Sequence, residues 1–298
     1  MNIRVSAGSA SLLGLQHLRM MHPPTTIHLL QFSAGGCNAS CAFCPQARVS
    51  LVDKKQLSRV SWPEYPWLDV KDRIIARWDE GAFARVCLQT VVYPSCVPDL
   101  LQATSELLGA RPMPVSVALV PVARRVMEQL KTTGVDRVGI AIDAATPELF
   151  ARIKGCDAGG PYTWDGHMKA LHDALGVFGK GHVSTHLIAG LGETIKEMAW
   201  RMQDLHDDGI TIGLFSFTPI PGTKLQHEAP PSLASYRQVQ LARYLIVNGI
   251  SRVDAFTFNP DTGAITGWGI PREQAIALIR ARRGRMFETS GCPGCNRP

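Results

Sequence analysis

Short runs of strand-forming residues alternate with longer helical patterns along most of this chain. The short runs have the length of strands, and the longer patterns repeat with the period of amphipathic helices. The predicted strands are 27–32, 84–90, 115–120, 137–143, 182–188, 211–217 and 252–258. The predicted helices are 67–80, 99–108, 123–132, 164–175, 194–206, 232–247 and 272–283. This alternation predicts βα units around a parallel sheet.

The chain has 298 residues, 45% of them hydrophobic, which is enough for one large barrel or two smaller domains. No low-complexity linker divides it, and seven strand–helix units are on the scale of a TIM-type barrel. We therefore predict an α/β fold, a (β/α)8 or slightly incomplete parallel barrel over residues 27–270. Residues 1–26 are predicted to be a short N-terminal extension, and residues 271–298 a C-terminal helix and a cysteine-containing tail.

Three cysteines, Cys37, Cys41 and Cys44, follow the first predicted strand at C-x-x-x-C-x-x-C spacing. Cube-type 4Fe–4S clusters normally have four cysteine ligands, so a three-cysteine loop would bind three irons and leave the fourth open to another ligand. The alternatives are a zinc site or an incidental group of buried thiols. Structural zinc sites usually have paired ligands elsewhere in the chain, so the odd triplet favours the iron–sulfur cluster.

Composition predicts the compartment. Eight cysteines, three of them in one loop, suit a reducing cytoplasm better than a secreted disulfide scaffold. The apolar run at 12–15 is too short and too interrupted for a signal peptide. No run approaches the ~20 apolar residues of a membrane helix. We therefore expect a cytoplasmic protein that does not bind a membrane.

The formal net charge of +6 would favour an acidic partner, although solubility alone is an alternative explanation. The basic residues are scattered, apart from a cluster at 280–285. The sequence has no zinc-finger or RNA-binding signature, so nucleic acid is not predicted as a partner.

The cysteine loop, with Phe43 before its last cysteine and Gly35 and Gly36 before its first, resembles the radical S-adenosylmethionine (radical SAM) superfamily. The resemblance implies that the open iron binds the methionyl amine and carboxylate of S-adenosylmethionine. It also implies reductive cleavage to a 5′-deoxyadenosyl radical, with an electron donor such as ferredoxin or flavodoxin. Because the cluster and the cofactor would carry the chemistry, no catalytic side chain beyond the cluster ligands is expected.

Other segments resemble the biotin synthase branch of that superfamily, and the resemblance implies contacts to the cofactor from residues at or after strand ends. The implied residues are Gln89, Thr90, Asp143, Ile188, Gly190, Gly192 and Glu193. The first two match the place that holds the methionyl amino group, although the usual acidic residue is missing there. Asp143 matches a ribose contact, and the others match a glycine-rich segment along the adenine. A simple turn with a helix cap is the alternative for that segment.

Biotin synthase has a second cluster inside its barrel, and Cys87 resembles the first of its three cysteine ligands. The later positions are Ala118 and Ser184, and 252–258 offers no matching arginine, so a standard biotin synthase is not expected.

The tail containing Cys292 and Cys295 resembles biotin synthase-related proteins that form a two-component lipoyl synthase. This implies an auxiliary 4Fe–4S cluster that is sacrificed as a sulfur donor. Cys87 is the preferred third ligand because it is predicted to end a strand at the barrel mouth, whereas Cys96 and Cys156 lie in loops. A zinc knuckle or a disordered thiol pair is the alternative.

The resemblance therefore predicts sulfur insertion into an octanoyl chain on a lipoyl carrier protein, with a second radical SAM enzyme as a further partner. The runner-up is another biotin synthase-like enzyme: a divergent biotin synthase, a mutase or a methyltransferase. An iron–sulfur electron carrier is the non-enzyme alternative.

Overall fold

The computed structural model describes residues 1–288 and 290–295. Its strands are β1 (Asn2–Val5), β2 (Thr26–Gln31), β3 (Gln56–Leu57), β4 (Val60–Ser61), β5 (Glu64–Pro66), β6 (Arg85–Gln89), β7 (Val115–Leu119), β8 (Arg137–Ile140), β9 (Val183–Ala189), β10 (Thr211–Ser216), β11 (Phe256–Phe258) and β12 (Ile265–Trp268). Its α-helices are α1 (Ala7–Leu12), α2 (Trp67–Asp79), α3 (Cys96–Ala110), α4 (Arg124–Thr133), α5 (Pro147–Ile153), α6 (Trp164–Phe178), α7 (Ile195–Asp207), α8 (Leu233–Val247) and α9 (Arg272–Ala281).

The central sheet has eight strands in the order β10-β9-β8-β7-β6-β2-β1-β5. The strands from β2 to β10 in this order pair in parallel, and helices cross over between them. Strand β1 is antiparallel to β2 and to β5, so the N-terminal segment contributes a strand to the sheet. The predicted fold class, a parallel barrel that is slightly incomplete, is confirmed.

The seventh predicted strand, at 252–258, is not part of this barrel. It forms a 3₁₀ turn (Val253–Ala255) followed by β11, which pairs antiparallel with β12 in a separate two-stranded sheet. The reason lies in α7: Gln203 Oε1 accepts the N–H of Val253, and Asp207 forms an ion pair with Arg252 at 2.8 Å. These contacts bind the segment to a helix and keep its backbone away from the sheet edge.

Side chains instead cover the edge of β10. Arg243 Nε donates to the carbonyl of Ile212 at 3.0 Å, and Ser290 Oγ accepts the N–H of Leu214 at 3.0 Å. An uncovered edge would offer backbone groups to another chain, so these contacts protect the open side of the barrel. They also bring the C-terminal segment against the barrel wall.

Alternation along the strands separates two faces of the sheet. Side chains such as Ile27, Leu29, Val86 and Val117 pack in the main core with the helices. The opposite face looks into the barrel and forms two rows that matter below. The upper row consists of Leu30, Gln89, Ala118 and Gly139, which pair in register. The lower row consists of His28, Cys87 and Ser116, two residues nearer the strand N-termini.

Within the described residues, no helix is both long enough and apolar enough to cross a membrane.

Candidate active site

The segment 37–44, here called the cluster loop, follows β2 and lies over the C-terminal ends of the parallel strands. Backbone bonds hold it from two sides: Asn38 donates its N–H to the carbonyl of Val92 at 2.7 Å, and Ala42 donates to Ile153 at 2.7 Å. The N–H of Val92 also lies 3.2 Å from Cys37 Sγ, where it donates to the sulfur. The loop is therefore fixed against the segment after β6 and the end of α5.

The donor chemistry of the loop fits an iron–sulfur cluster. Cys37, Cys41 and Cys44 line one cavity, and no cysteine of the described residues forms a disulfide. Burial raises the pKa of Cys44 to about 11 and raises the pKa of Cys41 further, and repulsion between the sulfurs adds to both shifts. Three thiolates this close together need positive charge nearby, and a bound metal cluster supplies it. The sequence-predicted ligands thus form a set that suits the cluster.

The cavity beside the cluster loop has a volume of about 190 Å³. The upper row forms its floor, because Leu30, Gln89, Ala118 and Gly139 line it together with the cluster loop. Of the predicted cofactor contacts, Gln89, Thr90 and Asp143 line the cavity too. The structure therefore brings six predicted site residues together from three different strand ends, as parallel barrels do.

Asp143 forms a buried ion pair at the cavity wall. Its Oδ2 lies 2.7 Å from Lys154 Nζ, and the two side chains are 9% and 8% exposed. Lys154 also donates to the carbonyl of Ala141. Burial alone would lower the pKa of Lys154, but attraction to Asp143 and Cys41 outweighs it and raises the pKa. Lys154 thus remains charged and orients the carboxylate predicted to contact the ribose.

Three ring side chains pack together beside the ion pair of Asp143 and Lys154. His167 packs edge-on against Phe150 and Tyr162, with ring centroids 4.9 and 4.8 Å apart. Burial, together with repulsion from Lys154, lowers the pKa of His167 to about 3, so the imidazole is neutral near pH 7. Lys154, Tyr162 and His167 were not predicted from the sequence. They lie on or after α5, outside any recognisable motif, and only the fold brings them to the cluster loop.

The glycine-rich segment after β9 forms a tight turn. Glu193 accepts the N–H groups of Gly190 at 2.6 Å and Leu191 at 3.0 Å, so its carboxylate satisfies two backbone donors of the same turn. Gly190 and Gly192 have φ angles of +98° and +125°. Ile188 packs with an apolar cluster that includes Phe43 of the cluster loop. Their predicted contacts to the adenine stay a prediction, because these residues lie beside the cavity and do not line it.

Replacing Gly190 with alanine should destabilise the protein by about 2 kcal/mol or more, because a positive φ disfavours a side chain. An added Cβ would also lie 2.5 Å from Cδ of Pro231. The matched control is Gly109→Ala in α3, where a Cβ would meet no atom within 4 Å. That change should be neutral or stabilising by up to about 1 kcal/mol. Urea unfolding measures both, and equal midpoints for the two variants would contradict the strain at Gly190.

Comparison with protein families identifies the superfamily of the chain. Residues 33–205, more than half of the chain, match the family model of the radical SAM superfamily. The chain belongs to the radical SAM superfamily. Membership implies an enzyme with a 4Fe–4S cluster and S-adenosylmethionine as cofactors. The cysteine triplet of the cluster loop lies within the matched residues.

Solved radical SAM structures have a similar fold. Methylornithine synthase (PylB) is 12% identical with a TM-score of 0.60, and the match covers 81% of this chain and 65% of that one. The FeFe-hydrogenase maturase HydG from Carboxydothermus hydrogenoformans is 15% identical with a TM-score of 0.58, and the match covers 74% of this chain and 51% of that one. The chain spans less than two thirds of either structure. Such low identities show the fold alone, and no curated protein matches the sequence.

The remaining predicted metal ligands lie at the opposite end of the radical SAM barrel. Cys292 Sγ is 3.6 Å from Ser116 Oγ, and Cys295 Sγ is 3.9 Å from His28 Nε2. Cys87 is in the middle of β6, in the lower row, so the expectation that it ends a strand at the barrel mouth is wrong. The inward alternation of β6 places it beneath the cavity. The assignment of these three cysteines to a second cluster stays a prediction.

Single-ion metal sites are a different case. The described part of the chain has no group of three or more His, Cys, Asp or Glu side chains arranged around one ion. The three cysteines of the cluster loop do not form such a group either. A four-iron cube does not require one, because each iron takes its own protein ligand and the ligands stand further apart than around a single ion.

Proposed function

We propose that this radical SAM protein inserts sulfur into an octanoyl chain on a lipoyl carrier protein, as a component of a lipoyl synthase. One observation carries the proposal: the two cysteines of the C-terminal tail reach the barrel interior at the level of Cys87. One group of cysteines therefore lines the cavity, and a second group lies beneath its floor. Other reactions of the superfamily that need a single cluster do not account for the second group.

The short distance between the two rows supports sulfur transfer from the lower cysteines to a substrate in the cavity. The lower row lies two strand residues beneath the floor of the cavity, a rise of about 6.6 Å. Ala118 and Gly139 in the floor carry almost no side chain, so little material separates the cavity from the lower row. A substrate carbon above that floor would be close to both cysteine groups.

The residues of the chain bind, orient and exclude water. When bound, the first cluster and S-adenosylmethionine supply a 5′-deoxyadenosyl radical, and the second cluster supplies sulfur. Lys154 fixes Asp143 for a cofactor hydroxyl and offsets the negative charge of the cluster loop. Apolar side chains such as Leu57 and Val91 line the cavity, which suits an aliphatic chain and excludes water.

The net charge of the protein supports a lipoyl carrier domain as its partner. The net charge of +6 would attract an acidic lipoyl carrier domain and increase the encounter rate. Salt should weaken that attraction, because the Debye length falls to about 8 Å at physiological ionic strength.

The reconstituted protein, supplied with a partner enzyme and a flavodoxin-type electron donor, should transfer deuterium from a labelled octanoyl carrier peptide into 5′-deoxyadenosine. Mass spectrometry should detect sulfur gain in the peptide. In the Cys292→Ala/Cys295→Ala variant, deuterium transfer should persist while sulfur gain is lost, because hydrogen removal depends on the cluster loop alone.

Two outcomes would overturn the lipoyl proposal. Deuterium transfer from dethiobiotin without transfer from octanoyl carriers would identify a divergent biotin synthase. Sulfur gain that is unchanged in the tail variant would exclude the tail cysteines from sulfur delivery.

A further inference from the structure

The C-terminal tail is anchored under the barrel next to a buried histidine. Thr25 Oγ1 donates to the carbonyl of Gly294 at 2.6 Å, which fixes the turn between the two tail cysteines. His28 is 6% exposed, and its Nε2 lies 3.9 Å from Cys295 Sγ. A tetrahedral metal ion with sulfur at about 2.3 Å and nitrogen at about 2.0 Å holds these two donor atoms about 3.5 Å apart. The observed separation therefore suits two ligands of one ion.

The lower row brings the other donors to the same level. Cys87 pairs in register with His28 on one side and with Ser116 on the other. The second tail cysteine, Cys292, lies 3.6 Å from Ser116 Oγ. The tail thus extends under three neighbouring strands, with Cys87 on the middle one. The lower row and the tail together supply one imidazole nitrogen and three sulfurs at the base of the barrel.

We propose that His28 and Cys295 bind the same iron of a two-iron cluster at the base of the barrel. Cys87 and Cys292 bind the other iron. The inference rests on the proposed function, which gives the tail cysteines a second cluster; it adds the fourth ligand and replaces the 4Fe–4S cluster implied by the resemblance with a two-iron cluster. A 2Fe–2S cluster takes two protein ligands on each iron, and histidine replaces cysteine in known examples.

Ser116 is the other polar side chain of the lower row, and its contacts fit a different role. Arg85 Nη1 donates to Ser116 Oγ at 2.9 Å and also binds Asp136 at 2.6 Å. With its oxygen occupied by that donor, the Ser116 hydroxyl is free to direct its own hydrogen toward Cys292. A hydrogen bond to a ligating sulfur stabilises the thiolate without adding a ligand.

A neutral imidazole also suits the surroundings. Replacing one thiolate by a histidine removes one negative charge from the cluster. Burying charge inside the barrel is costly, so the exchange makes the buried cluster easier to accommodate. The same exchange raises the reduction potential of the cluster.

The test uses the full chain with Cys37, Cys41 and Cys44 replaced by alanine, so that only the second cluster remains. After anaerobic reconstitution we expect about two irons per chain and the Mössbauer signature of a two-iron cluster. Pulsed EPR of the reduced protein should detect coupling to a directly bound histidine nitrogen, and that coupling should change isotope pattern after ¹⁵N-histidine labelling.

Two histidine variants in this background separate ligation from packing. His28→Cys should lose the nitrogen coupling and have a lower reduction potential. It should also retain iron, and the retained iron would show that the site still folds. His28→Ala should lose the coupling and most of the iron. The control is His172→Ala, because His172 is on the surface beside Asp208 with 55% of its side chain exposed. Its spectrum should match that of the background.

The outcomes distinguish the inference from the proposed function. Iron that persists after Cys292→Ala/Cys295→Ala, or zinc in place of iron, would overturn the second cluster and with it the sulfur-donating role. Iron that depends on the tail cysteines but shows no nitrogen coupling would overturn only the assignment of His28. Four irons per chain in the protein that lacks the three loop cysteines would contradict a two-iron cluster, and with it the assignment of His28 and Cys295 to one iron.

Discussion

Replacement of Cys37, Cys41 and Cys44 together by alanine should reduce the formation of 5′-deoxyadenosine from S-adenosylmethionine to the background rate. The three sulfurs line one cavity, and no other cysteine of the described residues lines it. The cluster they would bind supplies both the electron and the open iron for the cofactor, so no partial activity is expected. Anaerobic assays with dithionite and chromatographic detection of 5′-deoxyadenosine measure the loss.

The matched control for this prediction is Cys156→Ala. Cys156 is exposed on a 3₁₀ turn, where its Sγ lies 3.1 Å from Asp157. It lines neither the cavity nor the lower row, so this variant should form 5′-deoxyadenosine at the wild-type rate. If the triple variant cleaves the cofactor as fast as this control does, the cluster loop is not the site of cleavage.

The regular part of the barrel could be predicted from the sequence because its signals are local. The predicted helix at 194–206 is α7, where Thr194 accepts the N–H of Glu197 and the Glu197 carboxylate binds back in a capping box. The predicted strand at 211–217 is β10 to within one residue. In both segments the pattern of apolar residues and the end signals point to the same structure.

Where the prediction was wrong, a tertiary contact decided the structure. The segment 252–258 has the composition of a strand, but Gln203 and Asp207 on α7 bind its backbone and Arg252. Strand β1 was missed for the opposite reason: Asn2–Val5 is too short to show a period, and pairing with β2 stabilises it. Neither contact leaves a signal within the segment itself.

The candidate site shows the same difference between local sequence signals and tertiary contacts. The cluster loop could be recognised because its three cysteines lie within eight residues of sequence. Lys154, directly after α5, and His167 on α6 reach the same cavity, and nothing near them in sequence marks them as site residues. His28 is a single inward residue of a buried strand, and its proximity to Cys295 arises only when the tail folds under the barrel.

Substitution of Lys154 by methionine should destabilise the cluster-free protein by about 3–5 kcal/mol, because it leaves the Asp143 carboxylate buried without its cation. For a chain of this size, that loss corresponds to a fall of about 10 °C in melting temperature. The double variant Asp143→Asn/Lys154→Met should recover part of the loss, since the uncompensated charge is gone and asparagine tolerates the φ of +63° at this position. Thermal melting after iron chelation measures all three proteins, because bound metal would otherwise add stability of its own.

The matched control is Lys169→Met, which removes an ion pair of nearly the same length from the surface. Lys169 Nζ lies 2.6 Å from Asp173, but the lysine side chain is 75% exposed. Water solvates Asp173 when its partner is lost, so this substitution should cost at most about 1 kcal/mol. Equal falls in melting temperature for Lys154→Met and Lys169→Met would mean that burial does not strengthen the pair at the cavity wall. A double variant no more stable than Lys154→Met would mean that lost packing of the lysine chain, and not the unpaired charge of Asp143, causes the destabilisation.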